Sequence, residues 1–316
     1  MALSIATNNA ALQAAASAAS VNRDMETSMA RLSSGKRINS ASDDAAGVAI
    51  ASRLSSEIRG TNQAIRNALD GQALIDTAEG AHQEIENILQ RMREVAVQAA
   101  NDTTSSDDRK NLQTEMDALV LEIDRIAHVT AWANNALMDG DTSVDSTKTF
   151  SFQVGSATGT NNQIEVGINS MSGRTLNLLK RAPLARNVLL VVQDTDYTGG
   201  RNANNVDADG DGTIDNDTAL ENSLKSITTI DAAITTVNTQ RANLGAVSNR
   251  LGHTVNNLTN ISANISAAKG SIEDADFAME TTEMVKNQIL QQASTAMQAQ
   301  ANASKQNVLG LLQNKI

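Results

Sequence analysis

The strongest constraint on the fold is a seven-residue repeat of aliphatic side chains in the second half of the chain. The repeat runs without interruption through Ile230, Val237, Leu244, Leu251, Leu258, Ile265 and Ile272. A strict heptad repeat predicts a long helix that packs as part of a left-handed coiled coil. A helix from 218 to 270 would be about 80 Å long at 1.5 Å per residue, so it needs helical partners along its length.

The second heptad column of the same segment is mixed, because Arg241 and Lys269 alternate in it with aliphatic residues and serines. This mixture argues against an isolated two-stranded zipper and favours a bundle with other helices of the chain. Apolar residues at spacings of three and four predict two such helices, over 83–99 and 112–126. Turn and N-cap residues at 101–108 predict the break between them.

Composition supports an elongated helical protein and excludes several function classes. The chain of 316 residues has one proline and 2% aromatic residues, so long helices are permitted and a compact aromatic core is not expected. A net charge of −11 argues against nucleic-acid binding. No segment reaches the roughly 20 apolar residues of a membrane span. The N-terminus lacks a signal-peptide pattern, so if the protein leaves the cell, a route that reads no cleaved leader is expected.

The middle of the chain changes its hydrophobic period from helical to alternating. Residues 148–156 and 162–169 alternate apolar and polar side chains on either side of a Gly/Thr/Asn-rich stretch, which predicts a β-hairpin. A further strand is predicted at 187–193, within a small β-containing outer unit at 171–219. The fold class is therefore mainly α, with a helical coiled-coil bundle formed by the N- and C-terminal regions.

The two chain ends are rich in Ala, Gln, Asn and Ser, with few apolar side chains. Small side chains bury little area each, so helices at 1–30 and 284–316 are expected to be marginal alone and to fold when many copies assemble. The apolar residues expected to drive this polymerisation are Leu3, Ile5, Leu12, Val21, Ile289, Leu290, Val308, Leu311 and Leu312.

Motifs at both ends carry a specific family resemblance. "MALSIATNNAALQA" at the start, "LSSGKRINSASDDAAGVAIASRL" at 32–54 and "LQRMREVAVQAAND" at 89–102 resemble the N-terminal half of bacterial flagellin. The resemblance continues through 241–302 and in "NVLGLL" at 307–312. It covers about 1–170 and 220–316, while 171–219 lies outside it, as expected for the variable surface region of that family.

The resemblance implies a structural subunit that self-assembles into the extracellular flagellar filament used for motility. It implies that 1–42 and 276–316 form the inner filament core, that 43–170 and 220–275 form a helical rod with the hairpin, and that 171–219 is exposed outside. It implies export of the unfolded chain through the flagellar type III apparatus. It also implies, as partners, an export chaperone that holds the C-terminal helix, the filament cap and the hook-junction proteins.

The resemblance further implies recognition by the vertebrate Toll-like receptor 5. The matching positions are Leu89, Gln90, Arg91, Glu94, Val95, Gln98 and Glu115. The usual pattern has Leu where this chain has Val95, and losing one methylene from an interface anchor costs on the order of 1 kcal/mol. A second departure is Trp132-Ala133-Asn134, where the family usually shows a Phe-Asn-Gly turn.

The acidic stretch "DADGDGTID" at 207–215 resembles the loop of a calcium-binding EF-hand. Its ligands would be Asp207, Asp209, Asp211, Asp215 and the carbonyl of Thr213, with Gly212 at the sharp turn. Thr218 stands where a bidentate carboxylate is required, so the expected dissociation constant is weak, about 10⁻⁴ to 10⁻³ M. Two interpretations stay open: a calcium site, or a solvated acidic turn that caps the helix beginning near 218.

The remaining motifs predict no catalysis. "GK" at 35–36 fails the phosphate-loop pattern at Ala30 and Arg37, and is interpreted as a turn between helices. The histidines His82, His128 and His253 are far apart in sequence and are predicted to be surface or helix-flank residues. No cofactor is expected beyond calcium at the outer loop. The alternatives to a filament subunit are a hook–filament junction protein and a calcium-dependent adhesin with a helical stalk.

Overall fold

The computed structural model of the protein describes residues 7–138, 147–178 and 216–313. It confirms the mainly α fold class, with long helices and two small antiparallel hairpins. In chain order the elements are α1 (Asn9–Ser34), α2 (Ala45–Ala99), α3 (Ser106–Val129), β1 (Ala131–Trp132), β2 (Asn135–Ala136), β3 (Thr147–Gln153), β4 (Gln163–Asn169), α4 (Asn216–Glu273) and α5 (Phe277–Gln313). The strand expected at 187–193 lies outside the described residues.

The chain divides into two compact units that do not follow chain order. Unit 1 comprises Met1–Arg59 with Asn260–Ile316, and unit 2 comprises Gly60–Thr259. The boundaries fall inside α2 and α4, so both long helices contribute residues to both units. The breaks between helices lie instead at 35–44 and 274–276, close to the predicted limits of the terminal segments. The three-part division of the chain therefore stays a prediction.

In unit 1, α1 and α5 pair in antiparallel orientation through polar contacts along their length. The side-chain amide of Asn8 donates to the carbonyl oxygen of Ala301 at 3.2 Å, and Gln291 donates to Asn22 at 2.7 Å. At the other end, the Arg31 guanidinium lies 3.0 Å from the Glu280 carboxylate. The buried side chains of α1 are small, Ala14 and Ser28. The pair therefore brings two helices close together and leaves most of its apolar side chains uncovered.

The "GK" turn predicted at 35–36 is confirmed, and it ends α1. Gly35 adopts φ 71°, and its N–H donates to the carbonyl oxygen of Arg31 at 2.8 Å. This left-handed helix cap favours glycine because a Cβ would be strained there. The turn bridges to the segment between α4 and α5: Arg37 N–H donates to the Glu273 carbonyl at 2.6 Å, and Ala275 N–H donates to Gly35 at 3.0 Å.

The heptad repeat lies on α4, and its first four residues face the core of unit 2, whereas Ile265 and Ile272 belong to unit 1 and are half-buried. In unit 2, Ile230, Val237, Leu244 and Leu251 are fully buried, as the repeat predicts. The mixed column also has a physical explanation, because Arg241 forms ion pairs with Glu79 and Glu86 of α2. A charged residue next to the apolar seam thus joins α4 to α2 at the edge of the core.

Helices α2 and α3 are connected by the break predicted at 101–108. Ser105 and Asp108 form a reciprocal capping box at the start of α3, which satisfies two backbone N–H groups. The buried guanidinium of Arg109 donates to the carbonyl oxygen of Ala99 at 3.1 Å and so caps the end of α2. Local turn chemistry therefore fixes both helix ends in this connection.

The predicted β-hairpin is confirmed as the antiparallel pair β3–β4, with Phe150 opposite Val166 and Phe152 opposite Ile164. Its inward residues Ile164, Val166 and Ile168 are buried. A Cβ added to Gly71 of α2 would lie 3.2 Å from the Phe152 ring, so a glycine allows the close approach of the hairpin. On the α4 side, Gln240 donates to the Gly167 carbonyl at 2.8 Å.

Residues 132–134 contain a tight two-residue turn, although they differ from the Phe-Asn-Gly sequence that the resemblance leads one to expect. Strands β1 and β2 pair with Trp132 opposite Asn135, and the turn residues Ala133 and Asn134 have φ angles of 47° and 67°. Two consecutive positive φ angles are typical of a type I′ turn, which favours Asn followed by Gly. The turn therefore forms in this chain, with Ala133 in a backbone region that suits it poorly.

The prediction that all three histidines are surface or helix-flank residues is wrong for His82. Its side chain is completely buried in unit 2, whereas His128 and His253 are exposed as predicted. The Nδ1 atom of His82 lies 2.6 Å from the carbonyl oxygen of Ala78, one turn earlier on α2. Desolvation lowers the pKa of His82 below 6.5 and outweighs the hydrogen bond to Ala78 and the charge of Glu79. His82 is therefore a neutral core residue.

Candidate assembly surface

The most distinctive surface feature of unit 1 is a set of exposed apolar side chains on the paired terminal helices. We call this set the assembly face: Leu12, Met29, Phe277, Met279, Val285, Ile289, Leu290 and Met297. Eight large apolar side chains exposed on one pair of helices make this pair a candidate interaction surface, because covering each of them removes apolar area from water. Because α1 and α5 already pair with each other, these side chains are free for another molecule.

The residues predicted to drive polymerisation fall into four groups. Leu12, Ile289 and Leu290 belong to the assembly face, and Val21 is half-buried on α1. Leu3 and Ile5 lie outside the described residues. Val308, Leu311 and Leu312 lie on the last turns of α5, where the backbone is described and the side chains are not.

The sequence did not single out Met29, Phe277, Met279, Val285 and Met297. These five residues are sparse apolar positions on helices rich in Ala, Gln and Ser, which is the same pattern that identified Leu12 and Ile289. Spacing alone places such residues on a face of a helix. It does not say whether that face is covered within the subunit.

The receptor-like positions form a different surface, on α2 and α3 of unit 2. Gln90, Arg91, Glu94 and Gln98 are exposed, and Glu115 is half-buried on the facing side of α3. The Arg91 guanidinium forms two ion pairs, one with Glu115 at 2.8 Å and one with Glu94 at 3.0 Å. Hydrogen bonds to Glu115 and then to Glu94 raise the pKa of Arg91.

The two aliphatic receptor-like positions are placed differently from the polar ones. Leu89 and Val95 are completely buried in the core of unit 2. In this structure they support the helix from inside rather than present a surface to a partner. The shortening from Leu to Val at position 95 therefore concerns internal packing.

Metal and membrane sites were also sought among the described residues. Within 7–138, 147–178 and 216–313, no group of three or more histidine, aspartate or glutamate side chains could hold a metal ion. The predicted calcium ligands at 207–215 lie outside these ranges. In the same ranges, no helix has the length and apolar character needed to cross a bilayer.

Comparisons with known proteins agree with helical regions at both ends of the chain. Residues 5–143 match the model of the bacterial flagellin N-terminal helical region, and residues 227–312 match that of the C-terminal helical region. A flagellin of Bacillus subtilis is 43% identical over 96% of this chain and 98% of its own length. Flagellin B of Vibrio anguillarum is 35% identical over 99% of this chain and 100% of its own.

Among solved structures, the crystal structure of Bacillus cereus flagellin is similar at 27% identity, with a TM-score of 0.42. It covers 65% of this chain and 94% of that chain. The sequence relatives span nearly the whole chain, and the two family models match both of its ends. The chain therefore belongs to the bacterial flagellin family, and it is a structural subunit of the extracellular flagellar filament rather than an enzyme.

Proposed function

We propose that the assembly face is the surface through which copies of this chain polymerise. The observation that carries the proposal is the exposure of eight large apolar side chains on two helices that are already paired. A second copy of this chain would bury these side chains, because the family assembles as a homopolymer. Full burial of one such side chain is worth about 1.5–3 kcal/mol, so several together stabilise a subunit contact.

The same proposal includes coupled folding of the terminal segments. The α1–α5 pair buries Ala14 and Ser28 of α1 with Glu280, Asn287 and Ser294 of α5, and it leaves eight large apolar side chains exposed. Residues 1–42 and 276–316 would then gain most of their apolar burial only when copies come together. A chain whose ends are marginal before assembly also suits export in an unfolded form through the flagellar type III apparatus.

The double variant Leu12→Gln with Ile289→Gln tests the assembly face. We expect its pelletable fraction after salt-induced assembly to fall at least tenfold, because two buried contacts per subunit become polar. The readouts are sedimentation and negative-stain microscopy. Leu121→Gln is the matched control, since Leu121 of α3 is 67% exposed and Leu12 is 61% exposed. Filament yields from the double variant equal to those of the control would refute the proposal.

The flagellar export chaperone, the filament cap and the hook-junction proteins are proposed to contact the terminal helices as well. The support is again the uncovered apolar side of α5, from Phe277 to Met297. Co-purification with the export chaperone of the same bacterium is expected for the full chain and lost for a chain truncated after residue 276. Equal recovery of the chaperone with both chains would remove α5 as its binding segment.

Recognition by Toll-like receptor 5 is proposed to use the exposed polar positions around Arg91. Arg91→Ala is expected to raise the half-maximal concentration in receptor reporter cells at least tenfold. It should leave the folding stability nearly unchanged, because the ion pairs of Arg91 are exposed. Arg125→Ala is the control, since Arg125 is also exposed and paired, with Glu122 on α3. Equal potency of the two variants would contradict the role of Arg91.

The loop at 207–215 is proposed to bind calcium weakly, as a local accessory rather than a requirement for assembly. Titration of the full chain by calorimetry is expected to show binding with a dissociation constant of about 10⁻⁴ to 10⁻³ M. A variant with Asp209→Asn and Asp211→Asn should lose the heat signal. Absence of heat from the unmodified chain at several millimolar calcium would leave the capping interpretation of this loop.

A further inference from the structure

The ten methionines of this chain are divided sharply between the two units. In unit 2, Met92, Met116, Met138 and Met171 are completely buried. The terminal helices of unit 1 carry five others, of which Met29, Met279 and Met297 are 54%, 68% and 62% exposed. Met25 and Met284 are half-buried on the same two helices, and Met1 lies outside the described residues.

Exposed methionines are the most oxidisable groups available in this chain, because it contains no cysteine. With a peroxide, the thioether sulfur attacks one oxygen, the S–O bond forms as the O–O bond breaks, and the departing hydroxide takes up the proton left on the new S–OH group and leaves as water. With hypochlorous acid, the sulfur attacks chlorine and hydroxide leaves; water then replaces chloride on the sulfur, and the two protons of that water go to the hydroxide and to solvent. The sulfur loses two electrons, the oxidant gains them, and the sulfoxide product can be reduced enzymatically. A sulfur buried in a packed core reacts slowly because the oxidant cannot reach it.

All three exposed methionines belong to the assembly face. A thioether there contributes apolar contact area, whereas a sulfoxide is polar and must keep its hydrogen bonds to water. Oxidation would therefore weaken the contact between copies and leave the core of unit 2 unchanged. Assembly would in turn cover these sulfurs and protect them.

We propose that Met29, Met279 and Met297 are an oxidation site that controls polymerisation: two-electron oxidants modify the unassembled subunit, block its addition, and spare subunits already in the filament. The proposal rests on the function proposed above for the assembly face. It adds a class of reactant, peroxide or hypochlorous acid, and a direction of control. A subunit oxidised before assembly is excluded, and a reduced one is incorporated.

Oxidation rates at each methionine provide the first test. Monomer and filament are treated with hydrogen peroxide, and sulfoxide at each position is quantified by peptide mass spectrometry. In the monomer, Met29, Met279 and Met297 are expected to oxidise at least tenfold faster than the four buried methionines, which serve as internal controls. In the filament, the rates at the three exposed positions are expected to fall at least tenfold. Unchanged rates in the filament would overturn the proposal.

The second test measures assembly. Peroxide-treated monomer is expected to give at least tenfold fewer filaments than untreated monomer, and methionine sulfoxide reductases should restore the yield. The triple variant Met29→Leu, Met279→Leu and Met297→Leu should give the same filament yield before and after treatment, whatever its untreated yield, because leucine has no sulfur to oxidise. Equal assembly of treated and untreated wild type overturns the inference alone. Failure of untreated wild type to assemble overturns the proposed function, and the inference with it.

The reductase measurement keeps the test decisive if the triple variant itself assembles poorly. Recovery of treated wild-type subunits after enzymatic reduction assigns the block to sulfoxide. Persistent failure after complete reduction assigns it to other damage and refutes the role of methionine.

Discussion

Replacing Leu89 with Ala is expected to lower the free energy of unfolding of unit 2 by about 3 kcal/mol. Leu89 is completely buried in the core of that unit, and large-to-small substitutions at such sites cost about 2–5 kcal/mol through lost burial and the cavity left behind. Unfolding in urea can be followed by fluorescence, because the single tryptophan, Trp132, lies in unit 2.

Leu121→Ala is the matched control for this prediction, because Leu121 lies exposed on α3 of the same unit. Its effect is expected to stay within about 0.5 kcal/mol, as for other surface substitutions. Similar losses in the two variants would mean that Leu89 is not a core residue. These two variants also distinguish a role of Leu89 in folding from a role in direct contact with the receptor. A loss of receptor potency in Leu89→Ala that follows the loss of folded protein would assign Leu89 to the fold rather than to direct contact.

The helical framework was predictable because its signals are local. The heptad repeat from Ile230 to Ile272 requires one continuous helix, and α4 spans it. Alternation on either side of a Gly/Thr/Asn-rich stretch predicted β3 and β4 with nearly their observed limits. The capping residues at 101–108 predicted the break between α2 and α3. Each of these signals depends on the periodicity or backbone chemistry of a few neighbouring residues.

The placement of single residues was less predictable, because it depends on contacts distant in sequence. Arg241 interrupts a heptad column, and only its pairing with Glu79 and Glu86 explains why a charge is accommodated there. No neighbour in the sequence requires a glycine at position 71. The requirement comes from the Phe152 ring, which lies against it in the folded protein. Leu89 and Leu12 are both apolar positions on helices, and the sequence cannot tell that one is buried and the other exposed.

His82 is the clearest case of a residue whose environment reverses the sequence-based prediction, and it leads to the second large effect. Its Nδ1 faces the Ala78 carbonyl, so Nδ1 carries the proton and Nε2 is an acceptor. Nε2 is buried without a hydrogen-bond partner in the described structure. An unsatisfied buried polar atom costs about 1–3 kcal/mol. His82→Leu is therefore expected to stabilise unit 2 by about 1 kcal/mol at pH 7.5.

The stabilisation by His82→Leu is expected to be larger at acid pH. Burial lowers the pKa of His82 in the folded protein below 6.5, the ordinary value expected in the unfolded chain. Below pH 6.5 the unfolded chain therefore binds a proton that the folded protein does not. Folding stability due to this group is complete above pH 6.5 and falls by up to about 1.4 kcal/mol per pH unit below it, until the folded pKa is reached. The nearby charges of Glu79 and Arg241 act on the pKa in opposite directions.

The measurement is urea unfolding of wild type and His82→Leu, followed by Trp132 fluorescence at pH 7.5 and pH 5.0. The stability difference between the two proteins is expected to widen at pH 5.0, and carboxylates shared by both cancel in that difference. His128→Leu is the control, because the exposed Nδ1 of His128 faces the Asp124 carbonyl at 2.7 Å in the same local geometry. A difference that does not change with pH would mean that His82 is not held neutral by the fold. If it widens as expected, acid weakens unit 2 through a residue buried in its core.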